Sequence, residues 1–137
     1  SLWVAKHLKK KKLNYIGYGG RGHQVRDVIH IEDVCKILYL QIKKINSIFN
    51  NSFDIGGGKK NTISLNLLTK KCQKITQNII PVSKIRHTSI FDVPYFLSNN
   101  DKIGRYYNWK PKLSIDQIIL DIYEWMKNHK KILKGYF

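Results

Sequence analysis

The 137-residue chain has few of the residues that build metal sites, redox pairs and disulfide frameworks. Its two cysteines, Cys35 and Cys72, lack a C-x-x-C spacing, which excludes a thiol-based zinc site and a redox pair. Its five histidines show no metal-ligand spacing, so we expect no metal. Isolated cysteines are typical of buried thiols in a reducing compartment. We therefore expect two buried thiols and a cytoplasmic location.

Long apolar runs and linker-like segments are also absent. No stretch approaches the roughly 18 apolar residues of a membrane-spanning helix, and no signal-peptide pattern opens the chain. We therefore expect no membrane partner. The three prolines fall at predicted element borders, and no Ser/Pro-rich stretch or internal repeat interrupts the sequence. The chain is expected to form a single domain over residues 1–137.

Acidic residues are scarce: 9 Asp and Glu oppose 25 Lys and Arg, which gives a formal net charge of +16. Such a charge predicts attraction to nucleic acid, to an anionic membrane or to phosphorylated ligands. Only four of the cations are arginines, and the lysines are spread along the chain. Nucleic-acid readers more usually cluster arginine with exposed aromatics, so a basic nucleic-acid-binding domain is retained only as an alternative.

Glycine is concentrated in one informative segment, GYGGRGHQVRDVIHIEDV, residues 17–34. Its four glycines allow the backbone to turn tightly and to approach a ligand, because a residue without Cβ tolerates positive φ. Arg26 follows this loop, and its planar guanidinium can hold a phosphate in bidentate fashion. Gln24 lies one strand period away on the same face, as a neutral partner. The segment predicts a phosphate-binding site.

Two patterns typical of dinucleotide-dependent enzymes are present without their structural context. Gly17, Gly19 and Gly22 match G-x-G-x-x-G, but the strand-like residues 24–31 follow where a dinucleotide fingerprint leads into a helix. Tyr-x-x-x-Lys occurs three times in a chain that is rich in both residues. We therefore predict no cofactor-binding residue and no catalytic residue in this chain.

Periodicity and capping residues predict an alternation of short strands and helices. His30 is expected to be a hydrogen-bonded structural residue within a strand. The glycines that end residues 52–58 predict a strand that stops where a ligand or another backbone comes close. The predicted strands are 13–16, 24–31 and 52–58. Five helices are predicted. They are 2–10, one capped by Asp33 and ending near Ile45, one from Ser64 to Thr76, one capped by Ser98 and ending near Tyr106, and one opened by a Ser114/Gln117 capping box.

Three blocks in the same order, residues 15–34, 52–69 and 108–125, give the chain a family resemblance. It resembles the C-terminal, substrate-binding part of the extended short-chain dehydrogenase/reductase family of NAD-dependent nucleotide-sugar epimerases and dehydratases, and within it the CDP-paratose (CDP-tyvelose) 2-epimerase-like group. The resemblance implies an α/β fold: the C-terminal portion of a Rossmann-type protein, with short strands and four to five helices.

The resemblance also implies a substrate site. The arginine that matches Arg26 contacts the pyrophosphate of a nucleotide sugar, and the preceding loop, here Ile16 and Gly17, lies against the base. A second phosphate-binding arginine of the family is replaced here by Ser89. Arg86, three residues earlier, is expected to substitute for it if the backbone shifts.

NAD is the cofactor that the resemblance implies, and it accepts and returns a hydride of the sugar. Its binding domain belongs to an N-terminal half that this chain lacks, so we expect the chain to be a fragment and to be catalytically inactive alone. Family members commonly form homodimers through helices of that half. The implied ligand is a nucleotide-diphosphate sugar, and the alternative is a stand-alone nucleotide- or anion-binding module without catalysis.

Overall fold

A computed structural model describes residues 1–47, 51–131 and 133. These residues contain five α-helices and four short β-strands, which confirms the predicted combination of short strands with four to five helices. In chain order, they are α1 Leu2–Leu8, β1 Leu13–Ile16, β2 Val25–Asp27, α2 Ile31–Lys43, β3 Thr62–Ser64, α3 Leu65–Thr76, β4 Val82–Ile85, α4 Asp101–Tyr107 and α5 Ile115–Asn128.

The chain divides into two compact units. Of the described residues, the first unit comprises 1–25, 63–95, 116–131 and 133, and the second comprises 26–47, 51–62 and 96–115. In the first unit, β1 and β4 pair in parallel with Leu13 opposite Val82 and Ile16 opposite Ile85. β2 and β3 form a further two-stranded sheet.

The core of the first unit contains apolar residues of α1 and α5 and the buried hydroxyl of Thr69 on α3. Thr69 accepts hydrogen bonds from Trp3 Nε1 at 2.9 Å and from Tyr15 Oη at 2.7 Å. Cys72 is fully buried, and this burial raises the pKa of its thiol to about 12. The predicted burial is therefore confirmed for Cys72. It is wrong for Cys35, which is exposed because it lies on the outer face of α2.

The second unit has its own core, in which α2 and α4 meet. Ile37, Ile103, Tyr107 and Trp109 form a buried cluster. Partly buried apolar side chains surround it: Ile29, Leu40, Phe53 and Ile55. The core residue Ile37 thus fixes which face of α2 is turned inward.

Two helices begin and pack as predicted. Ser64 caps α3, since its hydroxyl accepts a hydrogen bond from Leu67 N at 3.2 Å, and α3 ends at Thr76. The apolar residues of α5 recur at helical spacing and face inward, with Ile122 half-buried and the others buried: Ile115, Ile118, Ile119 and Met126. The predicted cap is thus confirmed for α3, and 3.6-residue periodicity agrees with the packing of α5.

The strand predicted over residues 24–31 is wrong in its extent. β2 ends at Asp27, and α2 begins at Ile31. Its N-cap is His30, whose Nδ1 accepts a hydrogen bond from Glu32 N at 3.1 Å, and not Asp33. Asp33 lies inside the helix, where its Oδ2 accepts from the backbone N–H groups of Lys112 (2.9 Å) and Leu113 (3.0 Å). The Asp33 carboxylate, which was expected to cap α2, therefore accepts hydrogen bonds from a backbone segment that is distant in sequence.

Two further local predictions differ from the structure. Residues 52–58 form no strand. Their backbone instead follows Val28 so closely that a Cβ on Gly57 would lie 1.8 Å from the Val28 carbonyl oxygen. Asn100, not Ser98, holds the N-cap position of α4. Ser98 is drawn away because its hydroxyl donates to Asp27 Oδ1 at 3.3 Å.

Candidate functional site

The glycine loop, residues 16–24, leaves the end of β1 in the first unit. Gly17 N donates to Ile85 O at 2.8 Å, and Gly20 N donates back to Gly17 O at 2.8 Å. These bonds fold the loop into a tight turn beside the end of β4. All four glycines of the loop have φ between +66° and +79°, a region that residues with a Cβ enter only with strain. The prediction that glycine is needed here for positive φ is confirmed.

Packing explains part of this glycine content. A Cβ on Gly20 would lie 2.6 Å from Lys84 Cβ, and one on Gly22 would lie 2.9 Å from the Tyr15 ring. At Gly17, by contrast, the nearest atoms would be 3.4 Å away, which is ordinary contact. The side chain of Ile16 is 56% exposed. Ile16 is therefore an exposed part of the loop, while Gly17 beside it is buried against Gln24 and Thr88.

Gln24 braces the loop from below. Its side chain is 6% exposed, and its Nε2 donates to the carbonyl oxygen of Ile16. Its Oε1 finds no hydrogen-bond partner among the residues that the structure describes. The backbone of Gln24 is also tied down, because its carbonyl accepts from Leu65 N at 3.3 Å. Gln24 thus positions the two residues that were predicted to contact the base.

A second segment, residues 88–92, is tied to the loop through Tyr18. Tyr18 N donates to Thr88 Oγ1 at 2.7 Å, and Tyr18 Oη donates to Asp92 O at 2.6 Å. Ser89 lies in this segment, and its Oγ accepts from Phe91 N at 3.3 Å. Sequence reasoning missed Tyr18 and Thr88, because each finds its partner about 70 residues away.

The first unit brings together four of the five predicted ligand contacts. Ile16, Gly17 and Gln24 meet in the glycine loop, and exposed Arg86 follows Ile85, the strand partner of Ile16. Arg26 belongs to the second unit, where it lies half-buried in β2. Contact of these five residues with a nucleotide stays a prediction.

The glycine loop does not fit a dinucleotide. It passes through a short 3-10 turn, Tyr18–Gly20, and then into β2, so no helix N-terminus follows to hold a pyrophosphate. In two of the Tyr-x-x-x-Lys pairs, the lysine ammonium lies over the tyrosine ring of the same pair. Lys43 Nζ is 4.6 Å from the Tyr39 ring centre, and Lys127 Nζ is 5.8 Å from that of Tyr123. The third pair, Tyr106 and Lys110, has the Tyr106 ring in edge contact with Phe53.

Other kinds of site are limited in the part of the chain that the structure describes. Residues 1–47, 51–131 and 133 contain no group of three or more His, Cys, Asp or Glu that could hold a metal ion. In the same ranges, every helix is too short or too polar to cross a bilayer. The arrangement at the glycine loop suits ligand binding, because it combines a tight backbone turn, the exposed Ile16 side chain and the exposed Arg86 at the end of the neighbouring strand.

Comparison with known proteins gives one sequence relative and many structural ones. No protein-family model matches the chain. The CDP-paratose 2-epimerase of Salmonella typhi is 32% identical over 110 residues, which cover 77% of this chain and 31% of that protein. The chain thus spans about a third of the length of this curated relative.

Solved structures of longer proteins share the fold. The UDP-glucose 4-epimerase of Thermotoga maritima, solved with UDP-glucose, is 24% identical over 93% of this chain and 38% of its own, with a TM-score of 0.76. An epimerase of Methanothermobacter thermautotrophicus is 16% identical and covers 98% and 38%, with a TM-score of 0.84. The UDP-glucuronic acid 4-epimerase of Bacillus cereus, in complex with UDP-glucuronic acid and NAD, is 16% identical, covers 92% and 38%, and has a TM-score of 0.78.

These structures confirm the predicted fold class, and NAD is bound in the Bacillus cereus enzyme and in the dTDP-glucose 4,6-dehydratase of Bacillus anthracis. NAD is therefore the cofactor of this group of proteins, as the sequence resemblance implied. Together, the sequence match and the shared fold make the chain similar to the C-terminal part of the NAD-dependent nucleotide-sugar epimerases and dehydratases of the extended short-chain dehydrogenase/reductase family.

Proposed function

We propose that the chain supplies the substrate-binding part of an NAD-dependent nucleotide-sugar epimerase of the CDP-sugar 2-epimerase kind. The observation that carries this proposal is the 32% identity to a CDP-paratose 2-epimerase over 110 residues. The chain's own contribution is to bind and orient the nucleoside diphosphate of the sugar. The reaction would be an isomerisation at one carbon of that sugar.

The glycine loop is the proposed contact for the nucleoside. The exposed Ile16 side chain offers an apolar surface for a base, and the positive φ of Gly17 lets the backbone turn directly after it. Gln24 holds the Ile16 carbonyl through its Nε2, so the surface is fixed before a ligand arrives. A preformed surface reduces the ordering cost of binding.

The diphosphate is assigned to arginine. Arg26 is the proposed bidentate contact, because a guanidinium matches two phosphate oxygens at once. Ser89 replaces a second arginine, and a missing charge-assisted contact costs about 1.5–3 kcal/mol. Arg86 is exposed three residues earlier and is the proposed replacement. We therefore expect weaker diphosphate binding than two well-placed arginines would give.

Catalysis requires groups beyond those described here. The hydride chemistry of the family comes from NAD, and the glycine loop does not fit that cofactor. The buried His30 is occupied as the cap of α2. We propose that the chain alone does not turn over substrate and that the complete enzyme includes a cofactor-binding half.

Calorimetric titration of the chain with CDP tests the proposal. Arg26→Ala is expected to weaken CDP binding about ten- to a hundredfold, because it removes one charge-assisted contact. Arg105→Ala, which removes an exposed arginine from α4, is the matched control and should bind CDP as the wild type does. Circular dichroism should show both variants folded. An absence of CDP binding by the wild type would contradict the proposal.

The net charge of +16 favours a second candidate, a basic nucleic-acid-binding domain. Titration with duplex DNA at two salt concentrations separates the two candidates. Affinity for DNA should fall steeply with salt, following the number of phosphates neutralised. Tight DNA binding together with no CDP binding would replace the epimerase proposal with this one.

A further inference from the structure

A groove in the second unit is lined by four lysines, and no Asp or Glu is among the described residues that line it. Its volume of about 560 Å³ is within the range of sites for small molecules. Two backbone segments, residues 57–61 and 110–114, supply most of its lining, and each contributes two of the lysines. We call it the lysine groove, defined by Lys59, Lys60, Lys110 and Lys112.

The four lysine side chains of the groove are exposed and unpaired. None forms an ion pair or a side-chain hydrogen bond with another residue that the structure describes. A lysine on α3 shows the contrast, because Lys71 Nζ lies 2.5 Å from Asp116 Oδ1. Unpaired ammonium groups around one groove raise the local positive potential, and this potential concentrates anions there.

The carboxylates behind the groove hold its backbone instead of its lysine side chains. Asp33 Oδ2 accepts hydrogen bonds from the backbone N–H groups of Lys112 (2.9 Å) and Leu113 (3.0 Å). Asp27 Oδ2 accepts from Gly58 N at 2.9 Å. These bonds fix both segments of the groove and leave its four ammonium groups without a counter-charge.

A buried asparagine ties the two segments of the groove to each other. Asn61 is 6% exposed, and its Nδ2 donates to Leu113 O at 2.8 Å. Its backbone N donates to Gly58 O at 3.0 Å, which closes the 3-10 turn that carries Lys59 and Lys60. The frame of the groove is therefore set before a ligand arrives, and this lowers the ordering cost of binding.

We propose that the lysine groove binds a compact polyphosphate, either free or at the end of a nucleotide. A lysine ammonium is a compact point charge that binds phosphate without the paired geometry of a guanidinium. Several such charges around one groove favour a ligand that carries several negative charges close together. Arg26, the proposed contact for the sugar diphosphate, does not line the groove, so this site is additional to the proposed nucleotide-sugar site.

Calorimetric titration with sodium tripolyphosphate, in the presence of saturating CDP, tests the proposal. CDP occupies the proposed nucleotide-sugar site, so the remaining binding reports on the groove. The wild-type chain should bind tripolyphosphate, and Lys59→Gln/Lys110→Gln, which removes one lysine from each segment, should weaken this binding by about tenfold or more. A wild-type chain that binds no tripolyphosphate would overturn the proposal.

The matched control is Lys70→Gln/Lys74→Gln. Both lysines lie on α3, and both are exposed and without an ion pair among the described residues. The control loses the same two positive charges as the groove variant and should bind tripolyphosphate as the wild type does. Equal weakening in the two variants would show that only the total charge of the chain matters, and it would overturn the proposal.

Three other anions test what the groove recognises. Tripolyphosphate should bind at least as tightly as ATP, and sulfate at the same ionic strength should bind more weakly by about tenfold or more. Binding of ATP without binding of tripolyphosphate, or sulfate binding of equal affinity, would overturn the proposal. So would a groove variant that loses affinity for duplex DNA while the wild type binds no tripolyphosphate, because nucleic acid would then be the ligand.

Urea denaturation gives a second measurement. Tripolyphosphate should raise the urea midpoint of the wild type and of the control, because a ligand that binds only the folded state stabilises it. It should not raise the midpoint of the groove variant, and an equal rise there would overturn the proposal. CDP titration separates the two proposed sites: a chain that binds tripolyphosphate but not CDP contradicts only the nucleotide-sugar site, and the reverse contradicts only the lysine groove.

Discussion

The two glycine-rich segments of this chain owe their glycines to different physical causes. In the glycine loop of the first unit, every glycine has positive φ, and a Cβ on Gly17 or Gly19 would make only ordinary contacts. In the second unit, Gly56–Gly58 lies against other atoms, and Gly57 approaches the Val28 carbonyl more closely than any Cβ would allow. The glycine loop needs glycine throughout for its backbone conformation and, at Gly20 and Gly22, also for its small size, whereas Gly56 and Gly57 are needed for their small size.

The two segments also differ in the groups whose hydrogen bonds hold them in place. Backbone bonds such as that from Gly17 N to Ile85 O close the glycine loop, and the side chains of Gln24 and Thr88 add to them. Side chains clamp the second segment: Asn100 bonds both backbone groups of Gly56, and Asp27 Oδ2 accepts from Gly58 N at 2.9 Å. Glycine content alone therefore does not distinguish a loop with an unusual backbone conformation from a closely packed segment.

The largest effect is expected from Gly57→Ala. The new Cβ would lie 1.8 Å from the Val28 carbonyl oxygen, so backbone must move, and we expect a loss of about 4 kcal/mol in the free energy of unfolding. Urea denaturation measures this loss. Gly19→Ala is the control in the other segment: its Cβ would meet nothing closer than 3.8 Å, so only the strain of positive φ remains, about 1–2 kcal/mol. Equal losses would contradict the distinction between size and conformation.

Asn100→Ala should have an intermediate effect. It removes the acceptor of Gly56 N at 3.0 Å and the donor to Gly56 O at 2.9 Å, at about 1 kcal/mol for each bond. We expect a loss of about 2 kcal/mol by urea denaturation, with CDP binding retained. Asn14→Ala changes an exposed asparagine of β1 and should cost less than about 0.5 kcal/mol. A result for Asn100→Ala as small as the control would show that the clamp does not hold the segment.

The smallest effect sharpens the comparison most. Thr88→Val keeps the side-chain shape and removes the acceptor of Tyr18 N, at a cost of about 1 kcal/mol. Thr62→Val similarly removes one bond, from Thr62 Oγ1 to Gly58 O, at the second segment. Both should lose similar stability, while only Thr88→Val should weaken CDP binding by calorimetry. Weaker binding in both variants would contradict a role confined to the glycine loop.

Predictions of helix caps were correct where the bonded residues are close in the sequence and wrong where they are far apart. The helix capped by Ser64 and ending at Thr76 was predicted correctly, because Leu67 N, which donates to the Ser64 hydroxyl, lies only three residues away. Asp33 and Ser98 were assigned the wrong roles, because their partners lie between 71 and 80 residues away. A polar side chain that suits a cap also suits any distant backbone N–H or carboxylate that folding brings near, and the sequence does not rank these partners.

The sequence by itself determined the helices with strong periodicity, the need for positive φ at the glycine loop, the family and its fold. Each depends on residues a few positions apart or on matched blocks in a fixed order. Only the tertiary structure decided three further features. Gln24 hydrogen-bonds the Ile16 carbonyl, the Val28 backbone leaves no space for a Cβ at residue 57, and Cys35 is exposed. These features depend on which surfaces meet after folding, and local spacing carries no information about that.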